Sequence, residues 1–444
     1  MKTTRFIFFR RTAFALLLAA STLTGCRGDR DKIITIWTQM VPGERKILDE
    51  MLVRFAQTHP EYKDYQFKEL FYETEQVRQN FMIAALGGSG SELVYGPSDN
   101  VGPFTKLEVI QPLEKLFDQA YFDKFIAAPV KANTDLNGHT YQIADQVGNH
   151  LCLVYNKDLI PEPPRTMSEL IRFGKTFTKD TNGDGRIDQY ALAWNYIEPF
   201  FFVPFLGGYG GNVMDSAFRP TLNDEATVKA SQLIKDLRDV YKIIPRESDY
   251  DIANTLFKEG RAAMIINGPW SWAGYRENGI NFGIARIPMI DETGLYPAPM
   301  VSPRGYSINV NTQGEKLKVT VELLKFLTSP ETELEFTRKS ATIPSRVEAY
   351  NFLTALLEDS LAVPEGVAVS DELRKDLLSN KAVLRGSIEQ MKVGRTMPVV
   401  SEMRVIWDSM RPAYQAVLGG GKTPAAAASE MQALAEKLID EMKQ

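Results

Sequence analysis

From Ile33 onward the apolar positions switch between two periods, one of about two residues and one of about 3.6. Ile33 to Trp37 reads as a strand, and Ile47, Leu48, Met51, Leu52 and Phe55 then recur at helical spacing until Pro60 stops the run. Tyr65, Phe67 and Glu69 alternate as a half-buried strand does, Thr74 to Leu86 reads as a helix closed by Gly87 and Gly88, and a strand follows from Glu92 to Tyr95. Strand and helix thus alternate within about 65 residues, the pattern of an α/β domain with a largely parallel sheet. A second α/β region is expected from Leu151 to Met300, with strands at Cys152–Asn156, Tyr190–Trp194, Ala262–Asn267 and Asn281–Ala285. Helices at Ser168–Phe177 and Glu225–Tyr241 separate some of these strands. The last third reads as helical over Glu315–Thr328, Pro330–Ser340, Ala349–Leu361, Asp371–Leu378 and Thr423–Met442.

A different pattern precedes all of this. Arg5, Arg10 and Arg11 lead into an apolar run from Thr12 to Leu23 that is too short for a membrane span and ends on Leu23-Thr24-Gly25-Cys26. The segment resembles a bacterial lipoprotein signal, in which residues 1–25 are removed and Cys26 carries lipid, with residues 26–32 as a short tether. An ordinary secretory signal with an incidental cysteine is the alternative, and the Arg10-Arg11 pair raises a twin-arginine export route.

The formal net charge of −5 becomes −9 once residues 1–25, with four basic side chains and no acidic ones, are gone, so no nucleic-acid complex is expected. Only Cys152 remains besides Cys26, which leaves no disulfide framework. The remaining 419 residues exceed what one core usually covers, so two domains are expected.

Motifs for catalysis are missing. His59, His139 and His150 are not spaced for a helical zinc site, and Gly87-Gly88-Ser89-Gly90-Ser91 lacks a glycine of a nucleophile elbow. Gly419-Gly420-Gly421-Lys422-Thr423 imitates the end of a phosphate loop without its first glycine, and Gly207 to Gly211 reads as an irregular loop. Asp180, Asn182, Asp184, Arg186 and Asp188 occupy calcium-loop positions with Gly185 at the sixth, but Ala191 stands where the bidentate glutamate belongs. A structural calcium ion there is one expectation, and an Asp/Asn/Gly turn the other.

Aromatic residues instead accompany polar or turn-forming residues at strand ends: Trp37 with Gln39, Tyr95 with Asp99, Trp194 with Asn195, Glu198 with Phe200, Trp270 with Trp272, and Trp407 with Arg411. Such faces stack on the apolar side of a sugar ring while amides and carboxylates bind its hydroxyls. Core packing is the expectation for Trp37, whereas Trp270 follows a strand broken by Asn267-Gly268-Pro269, where ligands of α/β folds bind.

From Tyr155 through Thr166, at Glu198-Pro199-Phe200, from Phe257 through Asn267-Gly268-Pro269-Trp270-Ser271-Trp272, and from Gly394 through Trp407 and Arg411, the chain resembles extracellular solute-binding proteins of bacterial ABC sugar importers, of the maltodextrin-binding type. The resemblance implies a periplasmic-binding-protein-like α/β fold: two lobes joined by crossing hinge strands near 147–152 and 299–306, with a ligand cleft between them. The lobes are expected over 33–148 plus 306–350 and over 149–305 plus 351–444. It also implies that Trp270 and Trp407 stack on sugar rings, that Glu198 and Phe200 line the site, that Arg411 stands at the cleft edge and that Asp99 bonds sugar hydroxyls. Gly96 stands where that type has a first-lobe tryptophan, Asn149 where it has a glutamate, and Val41 and Pro42 where it has an Asp-Lys pair. Specificity is therefore expected from Gln39, Glu44, Tyr95, Asp99, Asn149 and His150, the last also readable as a structural histidine. Arg304 is read as a contact to an anionic group or as a hinge salt bridge.

These observations describe a monomeric, lipid-anchored binding protein without catalytic activity, exported to the periplasm or cell exterior, which takes a carbohydrate by lobe closure and passes it to an ABC permease. A sensing subunit for a signalling receptor would share the same cleft. A glycoside-processing enzyme would need paired carboxylates such as Glu198 and Asp99.

Overall fold

In the computed structural model, which describes residues 32–134, 137–358 and 369–443, strand β1 (Ile33–Thr38) lies between two helical layers. Its Ile34 and Ile36 pack into a core with Leu48 and Phe55 of helix α1 (Pro42–Thr58). Trp37, on the opposite face, has its ring centroid 5.0 Å from that of Tyr72 and 6.4 Å from that of Phe81 on helix α2 (Thr74–Leu86). Trp37 is thus core-packed, as expected for a strand covered by helices on both faces. The segment read as an export signal, Cys26 and the end of the helix expected over Ala349–Leu361 lie outside the described residues.

Strands β2 (Gln66–Phe71) and β3 (Leu93–Pro97) flank β1 in parallel, which matches the alternation in the sequence. The other half of this sheet is antiparallel, in the order β10-β4-β9-β3-β1-β2. Here β4 is Ile143–Asn149, β9 is Met300–Ile308 and β10 is Ile343–Pro344. β4 leaves this sheet toward the second one and β9 returns from it, so the two run in opposite directions.

The second sheet has the order β6-β7-β5-β8. Its central strand β5 (Cys152–Asn156) runs antiparallel to β7 (Ala262–Asn267) and β8 (Phe282–Ala285), and β6 (Tyr190–Ala193) is parallel to β7. Gly207 and Gly208 lie inside a helix, not in the irregular loop expected from their glycine cluster. That helix, Pro199–Gly208, is apolar all round because it is buried on every side, so no 3.6-residue stripe marks it. Helices Glu402–Leu418 and Pro424–Lys443 complete this core with Ile406, Met410, Tyr414, Met431 and Ala435.

Two strands carry the chain between the sheets. β4 ends at Asn149 and β5 begins at Cys152. β9 pairs with β11 (Arg395–Thr396) through Met300 and Val301, with Asn149 through Ser302, and with β3 from Arg304 onward. The β4–β9 ladder shifts register between Gln146 and Asn149, where Gly148 has φ of 91°. That backbone conformation disfavours any side chain, and a methyl there would stand 2.9 Å from the His150 ring. Gly148→Ala is therefore expected to lower stability by about 1–3 kcal/mol in urea denaturation. An unchanged midpoint would show that the bulge does not depend on glycine.

Candidate functional site

Strand β7 ends at Asn267, and the next residues turn so sharply that a Cβ on Gly268 would stand 2.1 Å from the Trp270 ring. The indole is thereby folded back over the strand end. Phe200, in the first turn of the buried Pro199–Gly208 helix, stands with its ring 6.4 Å from Trp270 and 6.3 Å from Trp407. The structure thus brings together three aromatic residues that are 70 to 207 positions apart in the chain. Trp407 is mostly packed into the core and Phe200 and Trp270 are half-buried, an arrangement suited to one apolar ligand face. Glu198 precedes the same helix and receives two hydrogen bonds from Arg411, at 2.8 and 3.2 Å.

Tyr250, missed in the sequence, joins this wall. It opens helix Tyr250–Lys258 behind the capping carboxylate of Asp249. Burial, partly offset by hydrogen bonds with Asn267, Trp270 and Asn254, pushes its hydroxyl up to about 12, so it stays protonated. An Asp before an amphipathic apolar run was the available signal.

The first lobe supplies polar groups. Asp99 follows β3 and is nearly buried; its Oδ2 accepts from Arg78 at 3.0 Å, while its Oδ1 has no partner. Gln39 Oε1 and Ser98 Oγ of this lobe, and Asn195 Oδ1 of the second, are also buried and have no partner among the described residues. Buried polar atoms are ordinarily satisfied; these four, among other such atoms in the structure, lie just past the ends of β1, β3 and β6. Arg78 was not anticipated, although it stands at helical spacing from Phe81 and Ala85, a cation on the buried stripe of α2.

Five expected contact residues lie in the interior instead. Trp272 is 0% exposed in the second-lobe core, because it starts a helix packed under β7. His150 is enclosed between the carbonyl of Gly148 and the hydroxyl of Ser387, which is its structural reading. Arg304 donates to Glu44 at 2.6 and 3.1 Å and lies over the Tyr95 ring, so it is a buried salt bridge, not a contact to an anionic group. Tyr95 donates to Asp145 at 3.1 Å and accepts from Gln146 at 2.7 Å. Asn149 is half-buried and bonds Ser302 across the crossing strands at 3.3 Å.

In the Asp180–Asp188 loop, Asp180 accepts backbone N–H groups of Asn182, Gly183 and Gly185, and Asp188 accepts from Thr181. These are the bonds of a tight turn. Among the described residues no group of three or more His, Cys, Asp or Glu side chains is placed to hold a metal ion.

The profile of the bacterial extracellular solute-binding protein family matches residues 50–364. The chain is 22% identical to a maltotriose-binding protein of Pyrococcus abyssi, over 92% of this chain and 81% of that protein. It is 24% identical to a maltooligosaccharide ABC transporter solute-binding lipoprotein of Streptococcus pneumoniae, over 79% of this chain and 77% of that one. Among solved structures, the maltose/maltodextrin-binding domain of Bdellovibrio bacteriovorus, bound to maltotriose, superposes with a TM-score of 0.83 at 43% identity, over 92% of this chain and 100% of that domain. The maltotriose-binding protein of Thermus thermophilus, at 24% identity and a TM-score of 0.78, shares the fold. These relatives are solute-binding proteins, not enzymes.

The groups behind the site titrate in opposite senses. Burial raises the Asp145 carboxyl to about 7 despite the pull of Arg304, and burial lowers the His150 imidazole to about 4. Asp145 titrates near roughly 4 when unfolded, so its contribution to stability is full at low pH and is lost as pH rises toward 7. His150 titrates near roughly 6.5 when unfolded, so its contribution is lost as pH falls toward 4. Glu333, also raised by burial, acts in the same sense as Asp145. In urea denaturation between about pH 4 and 7, Asp145→Asn is expected to gain stability relative to the parent as pH rises. Parallel curves would show that this proton is not coupled to folding.

Proposed function

The chain belongs to the bacterial extracellular solute-binding protein family, and on that premise we propose that it captures a maltooligosaccharide between its lobes for an ABC importer. The observation that carries this reading is the Phe200–Trp270–Trp407 wall, which we place in one cleft with the acceptors at Gln39, Ser98, Asp99 and Asn195 that have no partner among the described residues. Apolar C–H faces of a glucose ring suit the wall, and its hydroxyls suit the acceptors. Aromatic stacking accepts many pyranosides, whereas polar groups discriminate among them. The relatives named above bind maltotriose or maltooligosaccharides, which supports the same ligand class here.

In this reading the mature protein is a monomer held to the membrane by lipid on Cys26. It closes by hinge motion at the two crossing strands and delivers sugar to a permease.

Calorimetric titration with maltotriose tests the proposal. Trp270→Ala and Trp407→Ala are each expected to weaken binding about tenfold or more, because flat aromatic anchors dominate such sites. Trp270 is partly exposed, so its replacement is expected to lower the melting temperature of the free protein less than replacement of Trp407, which is 4% exposed. No heat from the parent with maltose, maltotriose or longer maltodextrins would remove this ligand class.

A further inference from the structure

Helix α2 belongs to the first lobe, through Val77, Phe81 and Ala85, and helix Glu402–Leu418 belongs to the second, through Met403, Ile406 and Met410. Their first turns meet. Arg404 donates to Glu75 of α2 and, at 3.0 Å, to Asp408 on its own helix. Glu75 also takes Arg78 at 3.4 Å, and Arg78 holds Asp99 at 3.0 Å and Asn100 at 2.6 Å. At the other end Asp408 takes Arg411 at 3.4 Å, and Arg411 holds Glu198. Charges of alternating sign therefore run without a break from Glu198 to Asp99, which are the candidate ligand carboxylates of the two lobes.

We propose that this chain of ion pairs is a latch across the mouth of the cleft, with Arg404 and Glu75 as positioning residues that couple lobe closure to ligand binding. Within it, the Arg404–Glu75 pair is the link that joins one lobe to the other. Separating the lobes breaks that pair and leaves each half intact: Arg78 still orients Asp99, and Arg411 still orients Glu198. The same mouth is fitted sterically. A Cβ on Gly102 would stand 2.3 Å from the carbonyl oxygen of Val399, so the second-lobe backbone lies directly on the first lobe there. Lys106 donates to the carbonyl of Met442 at 2.8 Å beside it.

The latch favours the closed form before any ligand arrives, and a ligand that binds that form gains by the same factor. Arg404 is 24% exposed and Glu75 41%, so water and salt screen the pair, and its effect on the closed-to-open ratio is up to about fivefold. The coupling to affinity rests on the proposed sugar-binding reading, whereas the latch itself acts in the ligand-free protein.

Two measurements on the whole protein separate these. Small-angle X-ray scattering of the ligand-free protein is expected to show lobe opening in Glu75→Gln and Arg404→Gln, and in the parent when salt is raised to about 0.5 M. Gly102→Val, which wedges the mouth at a separate contact, is expected to open it as well. Calorimetry with maltotriose is expected to show up to about fivefold weaker binding in each single charge variant, no further loss in the double variant, and recovery in Arg404→Lys. Losses that add in the double variant, or dimensions that respond to neither charge variants nor salt, overturn the latch. If the parent fails to bind maltotriose, the sugar reading falls while the scattering still decides the latch.

Discussion

Arg304 and Glu44 meet inside the first lobe, and the rest of the molecule is arranged around their pairing. Two buried charges cost several kcal/mol per ion unless their geometry is satisfied. The strand that carries Arg304 and the first turn of the helix that carries Glu44 are therefore fixed relative to one another. Tyr95 of β3 lies against the guanidinium and reaches Asp145 of β4, which ties both neighbours of β9 to the same centre. One residue before Glu44, a methyl on Gly43 would stand 3.1 Å from Ala273, just beyond the Trp270 turn of the second lobe. The pair thus sits where the crossing strands leave the first sheet, and the lobes meet around it.

From that junction the two lobes present unlike faces. The second lobe offers a wall of rings whose positions are set by core packing, since Trp407 and Phe200 both belong to or lean on its main cluster. The first lobe offers oxygens at strand ends, held by backbone geometry and by Arg78. Stacking tolerates small displacements, but hydrogen bonds to buried acceptors do not. Rigid sheets beneath the acceptors and a helix-borne chain of ion pairs at the rim divide these tasks.

Much of the architecture was legible in the chain. Helices Thr74–Leu86 and Pro330–Ser340 and strands Cys152–Asn156 and Ala262–Asn267 run over the residues expected: the helices carry a one-sided apolar stripe, and the strands are short apolar runs bounded by turn residues, Ala262–Asn267 being buried along its whole length. The Trp270 position was legible too, since Asn, Gly and Pro before a bulky ring mark a strand end. The short helix at Pro199–Gly208 was hidden for the opposite reason: a segment buried all round has no periodicity to read. Glu44, Tyr95 and Trp272 were expected at the ligand, and His150 and Arg304 either there or as a structural histidine and a hinge salt bridge; all five find their neighbours inside the protein.

The amino-acid order by itself thus determined the two α/β regions, the absence of a disulfide framework and the family likeness, since these depend on local period, spacing and residue type. Only the tertiary structure decided which polar side chains are paired inside the protein, and that Arg404 lies against Glu75, 329 positions away. Local sequence sets backbone preference within a few turns. Whether a charge is exposed, paired or buried depends on segments that meet only when the chain has closed on itself.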